Sequence, residues 1–218
     1  MGEERMLQAV IWDFGGVVTS SPFEAFARFE AERGLPAAFL RTVNATNPDT
    51  NAWARFERAE IDAAAFDAAF AQESAALGHR VQGAEVLPLL SGHLRPRVVA
   101  ALRACKARVK IGCITNNVPI GHGAGMAGTA QQADAIAEAL ALFDHVIESS
   151  KIGLRKPDPR IYALMCEALD VAPAACVYLD DLGVNLKPAR AMGMRTIKVE
   201  SEAQLLADLA AATGFALD

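Results

Sequence analysis

The chain's 218 residues include 21 Lys and Arg against 26 Asp and Glu, a formal charge of −5, with 52% hydrophobic and 22% charged residues. That length suits one large domain or two small ones, and the apolar content sustains a substantial core rather than a disordered chain. Basic residues are scattered singly, so there is no electrostatic footprint for a nucleic acid or an anionic membrane, and neither is expected as a partner.

In chain order, Glu3, Glu4 and Arg5 precede an apolar stretch, Met6 to Trp12, which Asp13 cuts short of the core a signal peptide needs. Met6 stands where an N-myristoylation signal requires Ser or Thr. The charge-free stretch from Ile111 to Ala133 is too rich in Asn, Gln, His and Gly to cross a bilayer. The expectation is a soluble, cytoplasmic protein. Cys105, Cys113, Cys166 and Cys176 sit among apolar neighbours with no C-x-x-C pair, which predicts buried reduced thiols rather than disulfides or a zinc site.

Short apolar runs at Ala9–Trp12, Val109–Ile114, His145–Ile147, Cys176–Leu179 and Thr196–Val199 read as strands buried on both faces of a parallel sheet. Helical periodicity fills most of the intervals, with Pro96 opening one helix and others at Gln131–Leu142, Pro159–Leu169, Leu186–Met192 and Glu202–Ala211. This alternation predicts an α/β doubly wound parallel-sheet core. Residues 20–88 break it, being rich in Ala, Phe, Glu and Arg at helical spacing. They predict an inserted helical cap over the carboxyl ends of the strands, with the core in 1–19 and 89–218. The Gly-rich stretch Gly121–Gly128, with His122 and Met126, reads as a mobile surface insertion.

Four strand ends carry the chemistry. Ile11-Trp12-Asp13-Phe14-Gly15-Gly16 ends a strand in a carboxylate beside two glycines. Gly112-Cys113-Ile114-Thr115-Asn116-Asn117 offers small hydrogen-bonding side chains suited to phosphate oxygens. Gly153-Leu154-Arg155-Lys156-Pro157-Asp158-Pro159 stiffens the backbone around a lysine, a compact charge for a dianion. Val177-Tyr178-Leu179-Asp180-Asp181-Leu182-Gly183-Val184-Asn185 sets adjacent carboxylates after an apolar strand, a pairing that a hard cation such as Mg²⁺ relieves. Each alone is also an ordinary turn or cap.

In this order and at these positions, the four resemble the motifs of the haloacid dehalogenase-like hydrolase superfamily. The stretch from Ser149 to Met194 is especially similar to the phosphatase-type N-terminal domain of soluble epoxide hydrolases and their bacterial relatives. The resemblance implies Asp13 as the nucleophile that takes a phosphoryl group, and Mg²⁺ held by Asp13, the Gly15 carbonyl and Asp181. It implies Thr115 and Asn116 as phosphoryl ligands, Lys156 as the neutralising charge, and Asp180 and Asn185 in support. Between the adjacent carboxylates the sequence leaves the choice of direct metal ligand open. One departure stands out: Gly15 occupies the position where active phosphatases of the superfamily carry a general acid. Asp49, Glu57 and Glu60 are candidate substitutes from the cap, and Trp53, Arg55 and Phe56 either line the entrance or belong to the core. The implied function is hydrolysis of a small phosphorylated metabolite by a Mg²⁺-dependent phosphatase. Alternatives are a haloacid dehalogenase and a catalytically weak binding or regulatory protein. No oligomeric state is assigned.

Overall fold

A computed structural model describes residues 6–121 and 125–217. Strand β1 (Ala9–Trp12) leads into helices α1 (Pro22–Arg33), α2 (Phe39–Ala45), α3 (Ala52–Glu57), α4 (Ala63–Ala76) and α5 (Gly83–Val86), followed by a 3₁₀ turn at Leu87–Leu90. The alternating part follows: α6 (Pro96–Lys106), β2 (Lys110–Thr115), α7 (Ala130–Leu140), β3 (His145–Glu148), α8 (Ser149–Ile152), α9 (Pro159–Ala168), β4 (Cys176–Asp180), α10 (Gly183–Ala191), β5 (Arg195–Lys198) and α11 (Glu202–Thr213).

The strands form one parallel sheet in the order β3-β2-β1-β4-β5. β1 lies at its centre, with Ile11 level with Gly112 on one side and Tyr178 on the other. Side chains alternate across a strand, so Val10 and Trp12 pack with α6, α7 and α11 on one face, and Ala9 and Ile11 with α9 and α10 on the other. Both layers are buried, which is why the strands read as continuous apolar runs. Each large side chain so buried contributes about 1.5–3 kcal/mol.

The helical segment has a separate aromatic core, in which Phe56 stacks on Phe66 at 4.7 Å and Trp53 meets the same ring edge-on at 5.3 Å. Trp53 and Phe56 therefore belong to packing. The helices start where small polar caps allow: Ser21 before Pro22, Asn51 before α3 and Asp62 before α4 each accept a backbone N–H of the first turn. The helical run extends through Leu90, two residues past the expected limit. The connections out of and back into the sheet run side by side, with Ser20 donating to the His93 carbonyl at 2.8 Å and Arg95 to that of Val18 at 3.0 Å.

The Gly-rich stretch departs from expectation. His122 lies outside the described residues, but Gly125 packs against Phe14 and Ile136 with no room for a Cβ, and Ala127 is fully buried. Gly125 and Ala127 thus face the core, a consequence of apolar neighbours contributed by the turn after β1 and by α7. The four cysteines are free and buried, as composition suggested.

Candidate active site

The parallel sheet delivers the ends of β1, β2 and β4 to one edge, because strands that run together also stop together. Asp13 follows β1, its N–H bonded to the Leu179 carbonyl at 2.8 Å, which ties it to the end of β4. Its Oδ1 accepts from the Phe14 N–H at 2.6 Å and from Lys156 Nζ at 2.7 Å, while Oδ2 accepts from no group among the described residues. Lys156 is 1% exposed and reaches a second carboxylate, Asp180 Oδ2, at 2.9 Å. Asp13, Asp180 and Asp181 each bring an oxygen within 4.8 Å of the others.

The adjacent aspartates have opposite surroundings. Asp180 is fully buried, and its Oδ1 accepts from the Leu182 N–H at 2.8 Å and Asn185 Nδ2 at 3.0 Å. Its Oδ2 accepts from Lys156, from Asn185 at 3.1 Å and from the Tyr178 hydroxyl. Asn185 is itself buried on α10, its carbonyl accepting from the Tyr162 hydroxyl at 2.7 Å. Asp181 instead lies against Gly16, whose φ of +79° favours glycine and whose added Cβ would sit 2.3 Å from Asp181 Oδ2. Gly16 is therefore where the turn demands glycine. Gly15 has ordinary φ and open space around a Cβ, and its carbonyl accepts no hydrogen bond among the described residues.

Electrostatics follow from this crowding. Burial raises the Asp13 carboxyl well above its ordinary value, opposed by Lys156 and reinforced by Asp180 and Asp181. Burial and the Asp180 charge push Asp181 up to about 6, with Lys156 and Arg95 pulling the other way. The lysine is held charged: burial alone would depress it, but Asp13 and Asp180 more than offset that. Three carboxylates against one ammonium leave excess negative charge among hard oxygen donors, and a small divalent cation fits that donor set.

The β2 end is organised differently from expectation. Thr115 is buried and its hydroxyl makes no hydrogen bond among the described residues, so it remains a free donor. The Asn116 side chain is already engaged: Oδ1 accepts the Lys156 N–H at 2.8 Å, and Nδ2 donates to the Lys156 carbonyl at 3.0 Å and to Glu57 Oε2 at 3.2 Å. What Asn116 leaves free, among the described residues, is its backbone N–H. Asn117 ties β2 to β3, with Nδ2 donating to Glu148 at 3.0 Å and its N–H to Ser149 Oγ at the same distance.

Three residues that sequence reading missed belong here. Tyr178 stands two residues before Asp180 on the same strand face, a spacing that could have flagged it. Tyr162 meets it edge-on at 5.3 Å and reaches the site only through packing of α9. Arg95, whose guanidinium donates to the Val17 carbonyl at 3.4 Å, lines a cleft of about 530 Å³ with Gly16, Phe23, Arg41 and Asp181. Of the three acids suggested as proton donors, Glu60 pairs with Arg58 at 2.6 Å on the surface and Asp49 is exposed. Glu57 is buried against Asn116 and Arg155.

The comparisons agree with this architecture. A family model described as haloacid dehalogenase-like hydrolase matches residues 7–193. Bifunctional epoxide hydrolase 2 of Mus musculus is 40% identical over 120 residues, 55% of this chain and 21% of that protein. The chain spans about a fifth of the length of the first curated relatives it matches. Sesquiterpene phosphatase astK of Aspergillus oryzae is 28% identical over 86% of this chain and 87% of its own. A HAD-family enzyme of Bacteroides thetaiotaomicron, solved with magnesium and inorganic phosphate, superposes with a TM-score of 0.59 at 14% identity, covering 90% of this chain and 96% of its own. An L-2-haloacid dehalogenase of Xanthobacter autotrophicus superposes equally well, at 0.59 and 22% identity over 97% and 85%. The fold is common to both, and likeness of fold does not choose between their chemistries.

Proposed function

The chain belongs to the haloacid dehalogenase-like hydrolase family, and from that premise we propose that it is a Mg²⁺-dependent phosphatase acting on a small phosphorylated metabolite. The observation that carries the reading is the Asp13 carboxylate, clamped at Oδ1 by Phe14 and Lys156, free at Oδ2, and grouped with two further carboxylates. Asp13, the Gly15 carbonyl and Asp181 would hold Mg²⁺, which when bound supplies charge neutralisation for phosphoryl oxygens. Asp180 is the supporting carboxylate, since its oxygens already accept five hydrogen bonds from four donor groups.

Asp13 attacks phosphorus as the bond to the ester oxygen breaks, forming a phosphoaspartyl intermediate. Lys156 faces the developing charge, and the Thr115 hydroxyl and the Asn116 N–H orient the phosphoryl oxygens. The departing oxygen takes a proton from water or substrate, because Gly15 has no side chain to give one. A water molecule then attacks phosphorus, the bond to Asp13 breaks, and inorganic phosphate and the free carboxylate result. The helical segment, read as a cap, borders the cleft through Phe23 and Arg41.

Dehalogenation is the second reading, favoured by Gly15 because a halide leaves without a proton. The clustered carboxylates weigh against it, since they call for a cation that displacement of halide does not need. A panel of phosphomonoesters assayed with Mg²⁺ and with chelator, beside a 2-haloacid assay, separates the two. The expected result is metal-dependent phosphate release without halide release; halide release, or phosphate release that chelator leaves unchanged, overturns the proposal. Activity in neither assay favours a binding or regulatory protein.

A further inference from the structure

Glu57 ends α3, at the point where the helical segment meets the sheet, and its carboxylate is nearly buried, with 8% of the side chain exposed. Oε1 accepts from Trp53 Nε1 at 2.9 Å within its own helix. Oε2 accepts from two residues of the sheet side, Asn116 Nδ2 at 3.2 Å and Arg155 Nε. Arg155 also donates through Nη1 to the Pro48 carbonyl at 3.0 Å, so one guanidinium spans α3 and the loop before it.

Both sheet-side partners act on Lys156. Arg155 is its chain neighbour. Asn116 grips its backbone with a two-way amide pair, at 2.8 Å to the N–H and 3.0 Å to the carbonyl. An amide nitrogen has two hydrogens, and here one goes to the Lys156 carbonyl and the other to Glu57. Turning the amide over would set its oxygen against the Glu57 carboxylate and its NH₂ against the Lys156 N–H. Glu57 therefore reinforces the one orientation of Asn116 that pairs with Lys156, and with it the backbone from which Lys156 reaches Asp13 and Asp180. With both oxygens already accepting from donors, Glu57 is built as an acceptor and is ill suited to give a proton, the role considered for it from sequence.

We propose that Glu57 is a positioning residue that couples docking of the helical segment to placement of Lys156, so that the site is aligned only while α3 is seated. The kinetic part of the test rests on the phosphatase reading above; the structural part does not. Misplacing a charge by about 1 Å can cost about 10²-fold, so Glu57→Ala is expected to lower kcat for p-nitrophenyl phosphate by roughly 10- to 100-fold while KM moves much less. In a cycle with Asn116→Ala, the double variant should be no slower than Asn116→Ala alone within about twofold, because one acts through the other. Fully multiplying losses would overturn the coupling. Independently of activity, hydrogen exchange at the Lys156 amide should quicken in Glu57→Ala while amides inside β1 and β4 stay protected; unchanged exchange at Lys156 overturns the proposal. Glu57→Gln keeps the volume, removes the charge and serves if the alanine variant unfolds, since one amide oxygen cannot accept from Trp53 on one side and from Asn116 and Arg155 on the other. Should the wild type release phosphate from no ester, the function reading fails while the exchange measurement still decides the role of Glu57.

Discussion

The turn after β1 and the loop after β4 deliver carboxylates to the same spot and are built in opposite ways. The β4 loop is saturated: Asp180 serves Leu182, Asn185, Tyr178 and Lys156, and Asn185 is anchored in turn by Tyr162. The β1 turn is open: among the described residues, Asp13 keeps one oxygen free, Gly15 keeps its carbonyl free, and nothing crowds the Gly15 Cβ position. An oxygen without a protein donor can take up a cation or an incoming atom, whereas a saturated one cannot. On the proposed function, the saturated loop is scaffold and the open turn carries the chemistry. Asp181, next in sequence to the most saturated residue of the site, belongs with the open group because it faces Gly16 instead of the interior.

Three tests probe that division, in descending order of effect. Asp13→Asn keeps the shape of the open turn but removes the nucleophile, and phosphate release should fall by about 10⁴-fold or more with unfolding temperature nearly unchanged. Turnover by a pure preparation at even a hundredth of the wild-type rate would place the nucleophile elsewhere.

The second contrasts the neighbouring aspartates. Asp180→Asn turns an acceptor into a donor facing Lys156, Tyr178 and Asn185, and should cost about 3–5 kcal/mol in denaturant unfolding. Asp181→Asn relieves like-charge crowding, so the metal-free protein should be as stable as wild type or more so, while Mg²⁺ affinity by titration calorimetry falls at least about tenfold. If the two variants exchange these behaviours, the assignment of scaffold and ligand is reversed.

The smallest effect sharpens the account of the open turn. Gly15→Asp restores a carboxyl where the family's phosphatases carry their acid, and the site has room and an ordinary φ for it. Turnover of an alkyl phosphate should rise by about tenfold, or roughly 1.4 kcal/mol, and that of an aryl phosphate much less, because an alkoxide needs the proton and an aryl oxide does not. A folded, Mg²⁺-binding variant without that selectivity would show that proton supply does not limit the enzyme. Gly16→Ala is the contrasting control: its Cβ would collide with Asp181, and metal binding should be lost.

Much of this was legible from the chain. The five strands and the helices between them follow from apolar periodicity, which is local, and the residues found at the strand ends were expected there because turn chemistry is also local. Asp13, Lys156, Asp180, Asp181 and Asn185 come together because parallel strands end at a common edge, so motifs far apart in sequence need only follow strands to meet. The partners of Asn116 were not legible. Its amide looked like a phosphate ligand and instead clamps Lys156, 40 residues on, and meets Glu57, 59 residues back. The Glu57–Arg155 pair spans 98 residues, and the helical spacing around Glu57 says nothing of a partner so far along the chain. The same holds for the packing of Gly125 and Ala127 beneath a stretch that reads as loop. Sequence determined which side chains stand at the strand ends, because backbone preference and apolar patterning act over a few residues. Tertiary structure alone decided which of those side chains are saturated and which remain free to react, because hydrogen-bond partners are chosen by proximity after the chain has packed.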